Sequence, residues 1–325
     1  ASRKLGFAPA HTMRIAQRLY EGIDIGGETV GLITYMRTDG IDMAPEAITG
    51  IRTMIGKNYG RDYVPDAPRR YQNKSKNAQE AHEAVRPTDA ARTPRDVARS
   101  LDSEQAKLYE LIWNRAVASQ MQSAELDQTA VELVEPSGKT KLRATGSVIA
   151  FDGFLKLYRE DTDDAADDAD EDSRILPPMR EKDPLKRQSV EATQHFTQPP
   201  PRYSEASLVK RLEELGIGRP STYASTLQVL KDRSYVRTEK NRFFAEESGR
   251  LLTSFLERFF SRYVAYQFTA GMEEELDDVS GGRAEWKKVL AAFWCDFKPK
   301  SDEVMEKKPS EVTAELDEFL SDYLF

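Results

Sequence analysis

Tyr35, Arg37 and Asp39 alternate in the stretch GLITYMRTDG, and the apolar Leu32 and Ile33 ahead of them suit an extended backbone. Side chains alternate along a strand, so all three are predicted to project from one face. A phenol beside a guanidinium suits attack on a phosphodiester, because the arginine can grip two phosphate oxygens while the tyrosine oxygen approaches phosphorus. A free tyrosine has a pKa of about 10, so positive charge close by would also favour the phenolate. Taken alone the spacing is weak evidence. A packed tyrosine beside a surface arginine gives the same pattern.

Other stretches carry further candidates. NAQEAHEAVRP puts His82 and Arg86 four residues apart, on one face if the segment is helical. In GIGRPSTYAS, Arg219 and Thr222 fall at the start of a predicted helix, where exposed amides and the positive dipole end attract phosphate. Arg233 follows in KDRSYV. Each has a plain structural alternative, a satisfied histidine or an ordinary capped helix. The single cysteine, Cys295, excludes a disulfide framework and a Cys-rich zinc module, and reads as a small residue in a helix. Asp168 and Asp170 lie in EDTDDAADDADEDS, which has no apolar residue larger than alanine and is predicted to be a mobile loop. A cation site needs carboxylates on rigid elements, so no metal ligands are assigned in this chain.

The elements that must position these residues are mostly helical. DSEQAKLYELIWNRAVASQM offers a cap at Asp102 or Ser103, followed by Leu108, Leu111, Ile112 and Ala116 at helical spacing. SEASLVKRLEELG places Leu208, Leu212 and Leu215 on one face and stops at Gly216. Helical patterns recur in SGRLLTSFLERFFSRY, RAEWKKVLAAFWCDF and SEVTAELDEFLSDYLF, whose aromatic and leucine stripes are predicted to be core. DQTAVELVEPSGKTKLRATGSVIAFDGFLKLY, with a turn at Pro136-Ser137-Gly138, and LKRQSVEATQHFTQPPPRY read as β structure. They are predicted to share one sheet.

The chain also repeats itself. LGFAPAHTMRIAQRLYEG at 5–22 aligns without gaps with LGIGRPSTYASTLQVLKD at 215–232, and each is followed by Tyr-x-Arg-Thr-acid, at 35–39 and at 235–239. Both copies read as a turn and a helix leading into a strand. The second adds the hairpin-like SYVRTEKNRFFA, the outline of a winged helix, a motif commonly used to hold DNA.

The 325 residues allow two or three packed domains. A net charge of −8 argues against a nucleic-acid protein only as an average. Residues 160–172 hold nine acids and no base, and without them the chain carries +1. Setting aside the acidic tail from Pro299 onward as well leaves +6 on the remainder. No run approaches the roughly 18 apolar residues of a membrane span, and the opening ASRKLGFAPA lacks a secretory apolar stretch. The predicted location is the cytoplasm.

Across its length the chain resembles the bacterial type IA DNA topoisomerases. The matching stretches are MRIAQRLYEG with GLITYMRTDG, NAQEAHEAVRPTD, QHFTQPPPRYSEASLVKRLEELGIGRPSTYAS, and KDRSYV with YQFTAGMEEELDDV, in family order over nearly all of 3–298. The resemblance implies that Tyr35 forms a transient 5′-phosphotyrosine bond in single-stranded DNA, with Arg37 positioning the scissile phosphate and His82 contacting phosphate beside it. Glu83 and Arg86 are supporting candidates, Arg86 as a DNA contact. Arg219, Thr222 and Arg233 are implied to line the groove that holds the single strand.

The implied fold is multi-domain, mainly α with a β arch and winged-helix-like (CAP-like) units. A helical domain over 1–120 would bear Tyr35, a β arch would span 121–158 and 175–202 around the acidic loop at 160–173, and a helical base would cover 203–325. Mg²⁺ in the whole enzyme is implied to be held by a Toprim domain without counterpart in this sequence, so its ligands are expected outside this chain. Zinc ribbons are expected further on, and the sequence reads as a piece of a longer protein. The implied activity is relaxation of negatively supercoiled DNA through single-strand cleavage, strand passage and religation. It would need no ATP, because transesterification conserves the bond energy, and no GxxxxGK[ST] motif occurs. The partner expected is single-stranded DNA within negatively supercoiled duplex, bound by a nucleoid-associated monomer. Alone, this stretch is expected to bind DNA without relaxing it. Two other readings stay open, a topoisomerase III-like decatenase and a non-catalytic single-stranded DNA-binding module.

Overall fold

The computed structural model describes residues 1–324 apart from 37–39, 72–82, 136, 140, 160–178, 187, 190, 193, 195 and 198. Helix α1 (Ser2–Leu5) ends on Gly6 in the left-handed conformation, and α2 (Pro9–Glu21) follows with proline at its start. Proline suits that position because the first helical N–H has no partner within the helix. A hairpin, β1 (Ile23–Ile25) against β2 (Glu28–Val30), turns through Gly26 and Gly27 at positive φ. Then come α3 (Pro45–Asn58), the short α4 (Pro94–Val97) and α5 (Ser103–Ala118).

Asp102 caps α5 as its sequence predicts: its carboxylate accepts the Glu104 and Gln105 N–H groups while the Gln105 side chain accepts the Asp102 N–H. The buried face is Leu108, Tyr109, Trp113, Ala116 and Val117, so two aromatics take the place expected for the half-buried Leu111 and Ile112. These side chains join Ile15 and Leu19 of α2, Leu32, Ile33 and Met36, and Ile48, Ile51 and Ile55 of α3 in one core. Each fully buried aliphatic or aromatic side chain of this kind contributes roughly 1.5–3 kcal/mol.

From this unit extends a two-stranded arm, β3 (Glu125–Val134) against β4 (Lys141–Phe151), paired from Leu126↔Ile149 to Val134↔Lys141. Its two strands pack chiefly on each other, Phe151 at the root meets the Tyr63 ring, and Ser147 partway along β4 is buried. The predicted sharing of one sheet with the later stretch is not seen among the described residues of 179–203, none of which lies in a strand. Pro199, Pro200 and Pro201 offer no N–H to a ladder, and Phe196 and Tyr203 stay exposed, so no apolar face fixes a register. The end of the stretch joins the second unit instead, where the Phe243 N–H donates to the Tyr203 carbonyl at 2.8 Å. The acidic run 160–172 lies outside the described residues.

In that unit α6 (Glu205–Leu215) is capped by Ser204 and ends on left-handed Gly216, and α7 (Pro220–Asp232) follows. The wing is β5 (Val236–Glu239) against β6 (Arg242–Ala245). The predicted winged helix is present, and the first unit repeats its plan. Gly6 (φ 68°, ψ 16°) and Gly216 (φ 72°, ψ 22°) end equivalent helices, and each is followed by a 13-residue helix that opens on proline and leads to a hairpin. The order of the parts differs, since Tyr35 comes after its hairpin and Tyr235 before.

The chain continues through α8 (Glu247–Val264), α9 (Tyr266–Ser280), α10 (Trp286–Glu306) and α11 (Pro309–Leu324). The expectation that their stripes are core is corrected. Phe259, Val304 and Leu316 form a small buried cluster, and beside it half-buried Phe293 and Phe297 stack while Tyr263 meets Phe268 and Phe297 edge-on. Trp286, Leu290 and Trp294, four residues apart along α10, are exposed, as is Cys295. No described helix is long and apolar enough to cross a membrane.

Candidate nucleic-acid interface

Leu32 and Ile33 are buried and anchor the segment that leads to Tyr35. The predicted strand shrinks to a single antiparallel bridge, Ile33↔Pro87. Thr88 N–H donates to the Leu32 carbonyl and Thr34 N–H to the Arg86 carbonyl. Alternation still sets the exposure: Met36 is 7% exposed and points into the core, while Tyr35 is 47% exposed. The Tyr20 ring meets the Tyr35 ring edge-on at 5.4 Å. Arg37 and Asp39 lie outside the described residues, and so does His82.

Residues 83–88 are extended rather than helical, so the expected helical face shared by His82 and Arg86 is not formed at its Arg86 end. The Arg86 side chain, 13% exposed, turns inward. Its guanidinium straddles the Glu83 carboxylate at 2.7 and 3.0 Å and donates to the Pro87 carbonyl at 2.9 Å. These bonds occupy Arg86, which as placed does not present its charge to DNA. Burial would raise the Glu83 carboxyl, but the Arg86 hydrogen bond and the Ala44 N–H outweigh it and hold Glu83 below the usual carboxylate range.

In the second unit Arg219 is also turned inward. Its guanidinium reaches Glu273 at 3.1 Å and Asp277 at 2.8 Å, and donates to the Gly218 and Glu273 carbonyls. Thr222, in the first turn of α7, reaches back to the cap residue, its hydroxyl accepting the Arg219 N–H at 3.0 Å and returning a bond to the Arg219 carbonyl at 3.1 Å. Arg233 is exposed at the far end of α7. At 1.5 Å per residue the two arginines stand about 20 Å apart, so no single phosphate can touch both. The sequence reading found the wing but not the aromatic and arginine cluster on it. The guanidinium groups of Arg202 and Arg237 lie over the Phe244 ring of β6 at 4.5 and 5.0 Å, and Arg242 donates to the Arg202 carbonyl. The signal was present in PPPRY and NRFFA, which only the fold brings together. Arg237 is itself bound by Glu239 and Glu246 at 2.7 and 2.9 Å.

Among the described residues no three His, Cys, Asp or Glu side chains converge as cation ligands.

The sequence model of the DNA topoisomerase family matches residues 1–291. The chain belongs to the DNA topoisomerase family. It is 60% identical over 327 residues to DNA topoisomerase 1 of Zymomonas mobilis, covering 100% of this chain and 26% of that protein. Against DNA topoisomerase 1 of Rickettsia felis it is 54% identical over 325 residues, again across 100% of this chain and 42% of the relative. The chain thus spans less than half the length of these curated relatives. Full-length topoisomerase I of Thermotoga maritima superposes with a TM-score of 0.73 at 36% identity, over 92% of this chain and 47% of that one. The architecture is that of a type IA topoisomerase core, mainly helical with a β arm.

Proposed function

We propose that this chain is the strand-cleaving part of a bacterial type IA topoisomerase I that relaxes negatively supercoiled DNA. Tyr35 is the nucleophile: its oxygen bonds to a backbone phosphorus of single-stranded DNA, the 3′ oxygen leaves, and the 5′ phosphate stays on the tyrosine until religation reverses both bonds. No ATP is consumed. The observation that carries this reading is a half-exposed phenol on a segment tied to a buried core, within the region matched by the family.

Arg37 and His82 hold the scissile phosphate in this reading, and Arg233 is the accessible cation of the α7 end, with Arg219, Thr222 and Arg86 behind it in supporting roles. Domains over 1–120, 121–158 with 175–202, and 203–325 act as the tyrosine unit, the arch and the base. Acids elsewhere in the longer enzyme would hold Mg²⁺, whose charge would stabilise the leaving oxygen. The enzyme works as a monomer in the cytoplasm, on DNA of the nucleoid. This chain alone binds single-stranded DNA with strong salt dependence and does not relax a plasmid.

Tyr235 is the local competitor. It is half-buried, its carbonyl accepts the Glu246 N–H at 2.9 Å, and its backbone lies against Gly249 so closely that a Cβ there would overlap it. In the full-length protein, Tyr35→Phe should abolish relaxation and the covalent adduct, because only the attacking oxygen is removed. Tyr235→Phe should leave the adduct intact. Trapping the protein on labelled single-stranded DNA and locating the linked peptide by mass decides the matter. An adduct on Tyr235, or one surviving in Tyr35→Phe, overturns the assignment.

A further inference from the structure

We propose that Glu83 is a positioning residue for Tyr35, closing a clasp with Arg86 and Thr34 that fixes both ends of the 35–43 segment. The inference rests on the reading of Tyr35 as nucleophile.

The clasp has two sides. Ahead of Tyr35, the Thr34 N–H donates to the Arg86 carbonyl at 2.9 Å, the Thr34 hydroxyl donates to the Ala84 carbonyl at 2.8 Å, and the Arg86 N–H returns a bond to the Thr34 hydroxyl at 3.0 Å. Behind that segment, the Ala84 N–H donates to the Asp42 carbonyl at 2.8 Å and the Ala44 N–H donates to Glu83 Oε1 at 2.7 Å. Ala44 is the residue from which α3 starts. One carboxylate therefore ties the beginning of a core helix to the segment that grips Thr34, with the Arg86 fork on its two oxygens.

Charge keeps this arrangement closed. Arg86 faces Glu83 from its own segment and Asp42 faces it from the 35–43 segment, with Arg70 in turn 3.5 Å from Asp42 and donating to the Met43 carbonyl. Glu83 stays ionised at neutral pH, so both of its oxygens accept charge-assisted bonds, the stronger class. An anion here repels phosphate, which separates Glu83 from a DNA contact. Its effect reaches Tyr35 through the backbone: in-line attack needs the phenol oxygen placed to well under an ångström, and that placement is inherited from residues 34 and 44.

The test uses the full-length protein, a single-stranded oligonucleotide and single-turnover adduct formation, with amide hydrogen exchange measured in parallel. Glu83→Gln keeps the shape and one acceptor but opposes an NH₂ to the Arg86 fork. It should slow the maximal adduct rate roughly 10- to 100-fold, the range set by ångström-scale misplacement. The half-saturating oligonucleotide concentration should move by no more than about twofold, as expected when ground-state binding is spared. Exchange at the Thr34 and Ala44 amides should accelerate. Arg86→Lys, which keeps the charge and loses the fork, should reproduce the effect and guards against a folding defect peculiar to one variant. An unchanged rate with unchanged protection overturns the clasp. So does an effect confined to half-saturation, which would make Glu83 a binding residue. Should the wild-type protein form no adduct on Tyr35, the nucleophile assignment fails by itself, and faster exchange in Glu83→Gln still decides whether the clasp exists.

Discussion

The Arg219 guanidinium bridges Asp277 at 2.8 Å and Glu273 at 3.1 Å, locking the turn ahead of α7 to α9. Two carboxylates share one mostly buried cation, so its removal leaves them facing each other. Allowing for their partial exposure, Arg219→Ala should cost about 2 kcal/mol in urea unfolding, below the range for fully buried pairs. Arg233→Ala, at an exposed position, should leave stability within about 0.5 kcal/mol and reduce the salt slope of single-stranded DNA binding by about 1. Reversed phenotypes would show that Arg219 leaves its acids when DNA binds.

A second expectation concerns the root of the β arm. Gly153 has φ +46°, and a Cβ there would stand 2.6 Å from the Gln122 and Ser123 carbonyl oxygens. Gly153→Ala should cost about 3 kcal/mol, combining left-handed strain with overpacking. Gly138, at φ +70° with open space around it, is the control and should lose about 1 kcal/mol on the same change. Thermal melting of the two variants separates crowding from backbone strain, and equal losses would refute the crowding.

The wing turns through Lys240 (φ 46°) and Asn241 (φ 64°), both left-handed, as the tight hairpin turn requires. Lysine is poorly suited to that region. Replacing the pair by Asn-Gly should raise stability by about 1 kcal/mol. Chemical denaturation reads this directly, and a loss of stability would mean that the Lys240 side chain makes a contact worth more than the strain.

Alkaline pH offers a fourth test. The Tyr109 hydroxyl is buried and donates to the Arg92 carbonyl at 2.7 Å, and burial, aided by Asp89, pushes its pKa well above the ordinary value. A folded pKa above the unfolded one means stability that is complete at neutral pH and is lost as pH rises past about 10, where the unfolded phenol ionises. Tyr109→Phe should flatten that loss while costing about 1 kcal/mol near pH 7 for the orphaned carbonyl. An unchanged alkaline slope would point to other tyrosines.

Local chemistry was legible in the sequence. The Asp102 cap and the Gly216 stop are decided by neighbours within a few residues, and the winged-helix outline follows from them. Pairings across long separations were not. Glu273 and Asp277 lie 54 and 58 residues beyond Arg219, so nothing near GIGRPSTYAS signals that its arginine is already engaged. Periodicity likewise identifies the apolar face of α10 without telling whether anything covers it, and Trp286 and Trp294 remain exposed. Tyr35 is proposed from its stretch, whereas the Glu83 clasp required the 35–43 and 83–88 segments to be seen side by side.

The β arm has a mechanical character. Its root is bolted down: the Tyr63 hydroxyl donates to Asp152 at 2.7 Å, Lys156 reaches both, Arg69 holds the Met121 carbonyl and Ser123, and Phe154 N–H donates to the Gln122 carbonyl. Beyond that root the ribbon runs on for about 33 Å at the usual rise per residue, with Ser147 buried partway along β4. One degree of rotation at the bolted end then sweeps the tip through about 0.6 Å. Tilts of the tyrosine unit too slight to disturb its core become displacements at the far end of the ribbon larger than a bond's thermal motion.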